Sequence, residues 1–146
     1  MTPITKAAAL VSIVCVITAC QSKPPLAPKI DIPTEEISVG NFFYVKACIS
    51  GDNTVSGRSI RGTLCTKSQK YDVFGGPVIR LGSDRRYVGE LTPQEAVKGF
   101  ATVVNGIEYT FKCEERPKKK ADDGDSYHCA YDADNLPMIR ADITYP

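Results

Sequence analysis

Four cysteines, Cys48, Cys65, Cys113 and Cys129, narrow the possible folds of this chain more than any other residues in it. They form two pairs, with 16 and 15 residues inside each pair and 47 between the pairs. In an exported domain an even number of cysteines reads as a disulfide framework, and four allow three connectivities. Strand alternation favours one of them. From Ile107 to Cys113 the odd positions are apolar and the even ones polar, and from Tyr127 to Tyr131 the odd positions again carry the large apolar groups. Cys113 and Cys129 therefore each fall on the buried face of a strand, where a cross-strand bridge is possible. The expected bridges are Cys48–Cys65 and Cys113–Cys129. Each closes a loop of about 15 residues, worth on the order of 3 kcal/mol in the chain-entropy treatment. A zinc site or a thiol-redox centre is disfavoured, because there is no C-x-x-C pair and His128 is the only histidine.

Export is written into the start of the chain. Met1 to Lys6 carries one positive side chain, and Ala7 to Ile17 is apolar apart from Ser12. That run makes only about 16 Å of helix, against a hydrocarbon core of about 30 Å. It reads as the apolar region of a signal peptide covering residues 1–19. The run closes on Ile17-Thr18-Ala19-Cys20, which resembles the lipobox of bacterial lipoproteins: a branched apolar residue, two small residues, then cysteine. The resemblance ends at Cys20. It implies cleavage after Ala19, diacylglycerol on the Cys20 thiol and acylation of the new amino group, with Cys15 lost in the leader. More than one acyl chain would make a lasting tether. Gln21 and Ser22 follow the cysteine. An aspartate directly after it often retains such lipoproteins in the inner membrane, so the expected location is the periplasmic face of the outer membrane.

Residues 20–37 are expected to be the lipidated cysteine and a stiff extended spacer, since Pro24, Pro25, Pro28 and Pro33 stand among few large apolar residues. Residues 38–146 then form the disulfide-bonded domain, a size that allows one core. With Lys6 removed, seventeen basic residues balance seventeen acidic ones. That balance gives no electrostatic case for nucleic acid, and the short basic run from Arg116 to Lys120 is followed at once by acids.

Phe42 to Ile49 is aromatic and β-branched, as a strand requires. Ser50 to Gly62 reads as a polar, glycine-containing loop, ahead of a short segment at Thr63–Thr66. Tyr71 to Leu81 reads as a strand broken by Gly75-Gly76-Pro77, and Arg86 to Leu91 as another. Thr92, Pro93, Glu95 and Gly99 spell a capped helix of five or six residues. Asn105-Gly106 between apolar strands predicts a type I′ hairpin. Glu114 to Ser126 is a charged tip, and strands follow at Tyr127–Tyr131 and Met138–Tyr145. Seven or so short strands predict a mainly β fold, a small antiparallel sandwich or barrel with one short helix and two disulfides.

No catalytic set emerges from the sequence. His128 lies on the polar side of its strand, and no G-x-S-x-G elbow accompanies it. Asp122, Asp123 and Asp125 resemble hard-cation ligands in type, but the calcium-loop pattern is missing and Lys118, Lys119 and Lys120 precede them. A solvated tip is the better reading, and no metal or cofactor is expected. Adjacent strand residues face opposite ways, so one of Phe42 and Phe43 is expected on a contact surface. The sequence thus points to a non-enzymatic, membrane-anchored binding or structural lipoprotein. Its expected partner is another envelope protein of a secretion, pilus or conjugation apparatus, contacted through Phe42, Phe43 and the Lys118–Asp125 tip. The alternatives are an anchored inhibitor of lysozyme-like enzymes and, less favoured, an envelope hydrolase.

Overall fold

The computed structural model describes residues 30–39, 46–67, 76–121 and 123–146. Five strands precede a short helix: β1 (Thr34–Ser38), β2 (Lys46–Val55), β3 (Arg58–Lys67), β4 (Val78–Ser83) and β5 (Arg86–Leu91), then α1 (Pro93–Lys98). Four more follow it: β6 (Phe100–Val104), β7 (Ile107–Arg116), β8 (Ser126–Ala133) and β9 (Leu136–Thr144). They make a five-stranded sheet in the order β1-β9-β8-β7-β6 and a four-stranded sheet in the order β2-β3-β4-β5. Both expected disulfides are present. The mainly β expectation therefore holds, as a two-sheet sandwich rather than a closed barrel. Every paired strand runs antiparallel to its neighbour except β1, which lies parallel to β9.

Period-2 alternation gives each sheet one apolar face, and the two faces meet. Leu64, Ile79 and Leu81 of the smaller sheet are fully buried, as are Phe111, Tyr131, Ala141 and Ile143 of the larger. Three tyrosines, two in the larger sheet and Tyr145 just beyond the end of β9, reach polar groups of the smaller one. Tyr109 Oη lies 2.7 Å from Ser83 Oγ, Tyr145 Oη lies 2.5 Å from Thr66 Oγ1, and Tyr131 donates to the Gly82 carbonyl at 3.2 Å. Ser83 and Thr66 are the buried polar residues of the core, and these bonds satisfy them. Cys113–Cys129 joins directly opposed residues of β7 and β8 inside this core. Cys48–Cys65 joins opposed residues of β2 and β3, with Leu64 and Thr66 facing inward on either side of Cys65, so it lies on the outer face and Cys48 is exposed.

The helix forms as its signals require. Thr92 Oγ1 accepts from the Glu95 amide at 3.2 Å, and Glu95 Oε2 accepts from the Thr92 amide at 2.8 Å. Gly99 ends it at φ 91°.

Several expectations change. Ser50–Gly62 is no loop but most of a long hairpin, turning at Ser56-Gly57 and continuing to Lys67. Two of its glycines mark close approach of the other sheet: a Cβ on Gly51 would fall onto the Met138 carbonyl of β9, and one on Gly62 would press on Met138 and Tyr131. The sheet also begins at Thr34, inside the segment expected as spacer. Only Ile37 of β1 is buried, and the open edge of β9 supplies the pairing that the sequence does not announce. The charged tip shortens to residues 117–125, because β7 runs to Arg116 and β8 starts at Ser126. Asp134-Asn135, both at positive φ, closes a β8–β9 hairpin without any glycine. The predicted strand at 71–81 is seen as β4 from Val78, with a register shift between Leu81 and Gly82, and residues 71–75 lie outside the described residues.

Candidate functional site

The two ends of the sandwich differ. One gathers the four two-residue turns, Ser56-Gly57, Asp84-Arg85, Asn105-Gly106 and Asp134-Asn135, each with both residues at positive φ. Asn53 Nδ2 donates to the Pro137 carbonyl at 2.8 Å, tying the end of β2 to the start of β9, and the Glu108 amide donates to Asp134 Oδ1 at 2.9 Å. The other end carries the 117–125 loop and the chain around Tyr145, joined where the Tyr145 amide donates to the Asp125 carbonyl at 2.8 Å. Because β1 is parallel to β9, the chain ahead of Thr34 comes from the turn end. Ile32 and Pro33 accordingly flank a hollow beside Gly51, Met138 and Ile139.

At the loop end, alternation along β7, β8, β9 and β1 turns Arg116, Ser126, His128, Asp142, Thr144 and Glu36 to the outer face of the larger sheet. Asp142 is the centre of this group. Its Oδ2 lies 2.8 Å from Arg116 Nη2 and its Oδ1 lies 2.6 Å from His128 Nδ1. Ser126 Oγ and Thr144 Oγ1 are 3.1 Å apart. The loop folds back over this face. Lys118 Nζ sits 2.8 Å from Asp125 Oδ1, and the Lys120 amide donates to Asp123 Oδ2 at 2.7 Å. The hydrogen bond to Asp125, and then its charge, raise the Lys118 ammonium above the ordinary lysine range. Gly124 packs against the Tyr145 carbonyl, where a Cβ would not fit.

Together these residues border an open cleft of about 370 Å³, with Arg116, Lys118 and Lys119 on its wall beside Glu36, Asp123 and Asp142. Small-molecule pockets are mostly apolar and enclosing. A shallow, charged cleft of mixed sign is suited instead to charged side chains on a protein surface, where complementarity sets orientation and association rate.

The histidine pairs with a carboxylate as a catalytic base would, yet no hydroxyl reaches its Nε2 among the described residues, and Ser126 is bonded to Thr144. His128 thus stands on the solvent side of β8, as alternation predicts, and Asp142 joins it to Arg116.

Of the residues expected at a partner surface, Lys118, Lys119, Lys120, Asp123 and Asp125 all lie in the tip, and Lys118, Lys119 and Asp123 line the cleft. Phe42, Phe43, Asp122 and the acylation candidate Cys20 lie outside the described residues. Sequence reasoning missed Glu36, Arg116 and Asp142. Asp142 alternates outward in β9, but its neighbours come from strands distant in the chain, and only sheet order brings them together. No family model, curated protein or solved structure matches the chain.

Proposed function

We propose that the chain is an outer-membrane lipoprotein, acylated on Cys20 and facing the periplasm, which works by binding another envelope protein of a secretion, pilus or conjugation apparatus rather than by catalysis. One observation carries this reading. Residues 30–33 enter β1 from the turn end, while the charged cleft lies at the opposite end of the sandwich. A tether at one end and a binding surface at the other is the arrangement that holds a partner away from the bilayer.

Two measurements test it. Cys20→Ala should abolish fatty-acid incorporation and release the chain from the membrane; normal processing and retention would overturn the anchor. Crosslinking the acylated chain in intact envelopes should yield a discrete adduct that a Lys118→Glu, Lys119→Glu variant loses and a His128→Ala variant keeps. Hydrolysis of an envelope polymer lost only in the His128 variant would replace this reading by an enzymatic one. Stoichiometric suppression of lysozyme would replace the partner.

A further inference from the structure

The seven arginines divide cleanly. Arg61, Arg80, Arg116 and Arg140 each sit on a carboxylate, of Asp52, Glu90, Asp142 and Asp132 respectively. Arg58, Arg85 and Arg86 form no ion pair among the described residues, and all three are exposed at the turn end. We propose that these three arginines are a second binding surface, which docks the turn end on the phosphate headgroups of an anionic bilayer.

Arg58 opens β3 and Arg86 opens β5, on either side of a hollow of about 370 Å³ between the two sheets. A guanidinium presents a planar fork of donors that fits two phosphate oxygens at once, and it is less strongly hydrated than an ammonium. Asp84 is the carboxylate at this hollow, and its Oδ1 faces the protein, accepting from the Arg61 amide at 2.9 Å. Of the other acids toward this end, Glu108 and Asp134 belong to the five-stranded sheet, Asp31 lies in the chain that leads into β1 beside it, and Asp52 of β2 is paired with Arg61. Positive charge therefore concentrates on the four-stranded side. The domain would meet an anionic surface leaning on the β2–β3 and β4–β5 turns.

The choice of a bilayer over a soluble anion rests on the anchor reading of Cys20. Ile32 and Pro33 lie along the start of β9, so the described chain begins toward the turn end. The ten residues from Ile30 back to Cys20 reach at most about 35 Å when extended. An anchored domain thus has this end within reach of headgroups, and charge rather than tether length sets how closely it sits. The proposal gives the spacer a second role: it lets the arginines touch the membrane while the cleft at the other end stays clear.

The test uses the full chain carrying Cys20→Ala, so that no acyl group contributes, with disulfides formed. Its partitioning is measured on vesicles of phosphatidylcholine alone and of phosphatidylcholine with phosphatidylglycerol. Any contribution of the apolar leader is common to all variants. Each arginine near an anionic surface is worth about fivefold in partitioning, so Arg58→Ser with Arg86→Ser should weaken binding to the mixed vesicles by about 25-fold. Binding should collapse in 1 M salt, where the screening length is about 3 Å. Arg58→Lys with Arg86→Lys should retain most of it, and an unchanged melting temperature shows that the variants fold. Equal partitioning on both vesicle types, or none of the loss in the serine variant, would overturn the proposal. Release by millimolar inorganic phosphate at constant ionic strength would overturn it in favour of a soluble phosphate ligand. Fatty-acid labelling of the parent chain reads the anchor separately, so failure of one idea is distinguishable from failure of the other.

Discussion

Gly51→Ala tests the claim that the glycines of β2 and β3 exist for contact between the sheets. Gly51 has an ordinary strand backbone, so alanine meets no conformational penalty there. In the unfolded chain alanine is favourable, reducing entropy by about 0.4–1 kcal/mol. Against that, its Cβ would land on the Met138 carbonyl and within 3.1 Å of Ile139 Cγ1. The first of these is backbone of β9, at its register shift against β8, and not a side chain that can swing aside. Overpacking of this kind costs about 1–3 kcal/mol. Moving β2 outward to relieve it would stretch the Asn53–Pro137 hydrogen bond, worth about 1 kcal/mol. The net loss should be about 1–3 kcal/mol, a fall in melting temperature of roughly 5–15 °C for a domain of this size. Gly76→Ala is the control, because no atom of the described residues lies within 4 Å of a Cβ there and its φ is not positive. Thermal and urea unfolding followed by circular dichroism, with disulfides intact, would read both variants. If Gly51→Ala and Gly76→Ala agree within about 0.5 kcal/mol, β9 does not press on β2 as described and the reasoning fails.

The two disulfides should differ in accessibility, since exchange needs a thiolate to reach a sulfur. Mild dithiol treatment of folded protein should open Cys48–Cys65 first, because Cys48 is exposed while Cys113 and Cys129 are at most 1 % exposed; alkylation mapping that finds Cys113–Cys129 opened first would contradict the burial. Replacing Cys113 and Cys129 by alanine should cost about 3 kcal/mol or more, as a core cavity adds to the lost loop closure. Alkaline stability should report the buried tyrosines. Burial pushes the Tyr145 hydroxyl up to about 12 and Tyr131 higher still, so the folded state holds both protons more tightly than the unfolded chain. Their contribution is complete below the unfolded value near 10 and is lost as pH rises from 10 toward 12, by about 2–3 kcal/mol at pH 11. Urea midpoints at pH 8, 10 and 11 measure it, and a flat profile to pH 11 would show that these hydroxyls are not buried as described.

Much of this molecule was readable from short stretches of chain. The cap at Thr92, the Asn105-Gly106 turn and the alternation around Cys113 and Cys129 depend on neighbours within a few residues. The elements that were misread share a different property. Ser50–Gly62 looks like a loop because glycine, serine and asparagine are turn residues in isolation, and in the fold Gly51 and Gly62 are where β9 crosses. β1 carries one buried side chain and exists because β9 offers an edge.

The sequence by itself determined the pairing of the cysteines, the strand character of most segments and the polar side of His128, because backbone sterics, side-chain period and turn chemistry are local properties. The tertiary structure alone decided which faces met. It put one disulfide in the core and the other on the surface, and it drew Glu36, Arg116 and Asp142 from three strands to one cleft. It also left three exposed arginines, with no ion pair among the described residues, at the end from which β1 is entered. Sheet order and the parallel docking of β1 join residues up to about a hundred positions apart, and no local pattern encodes which distant edge a strand will find.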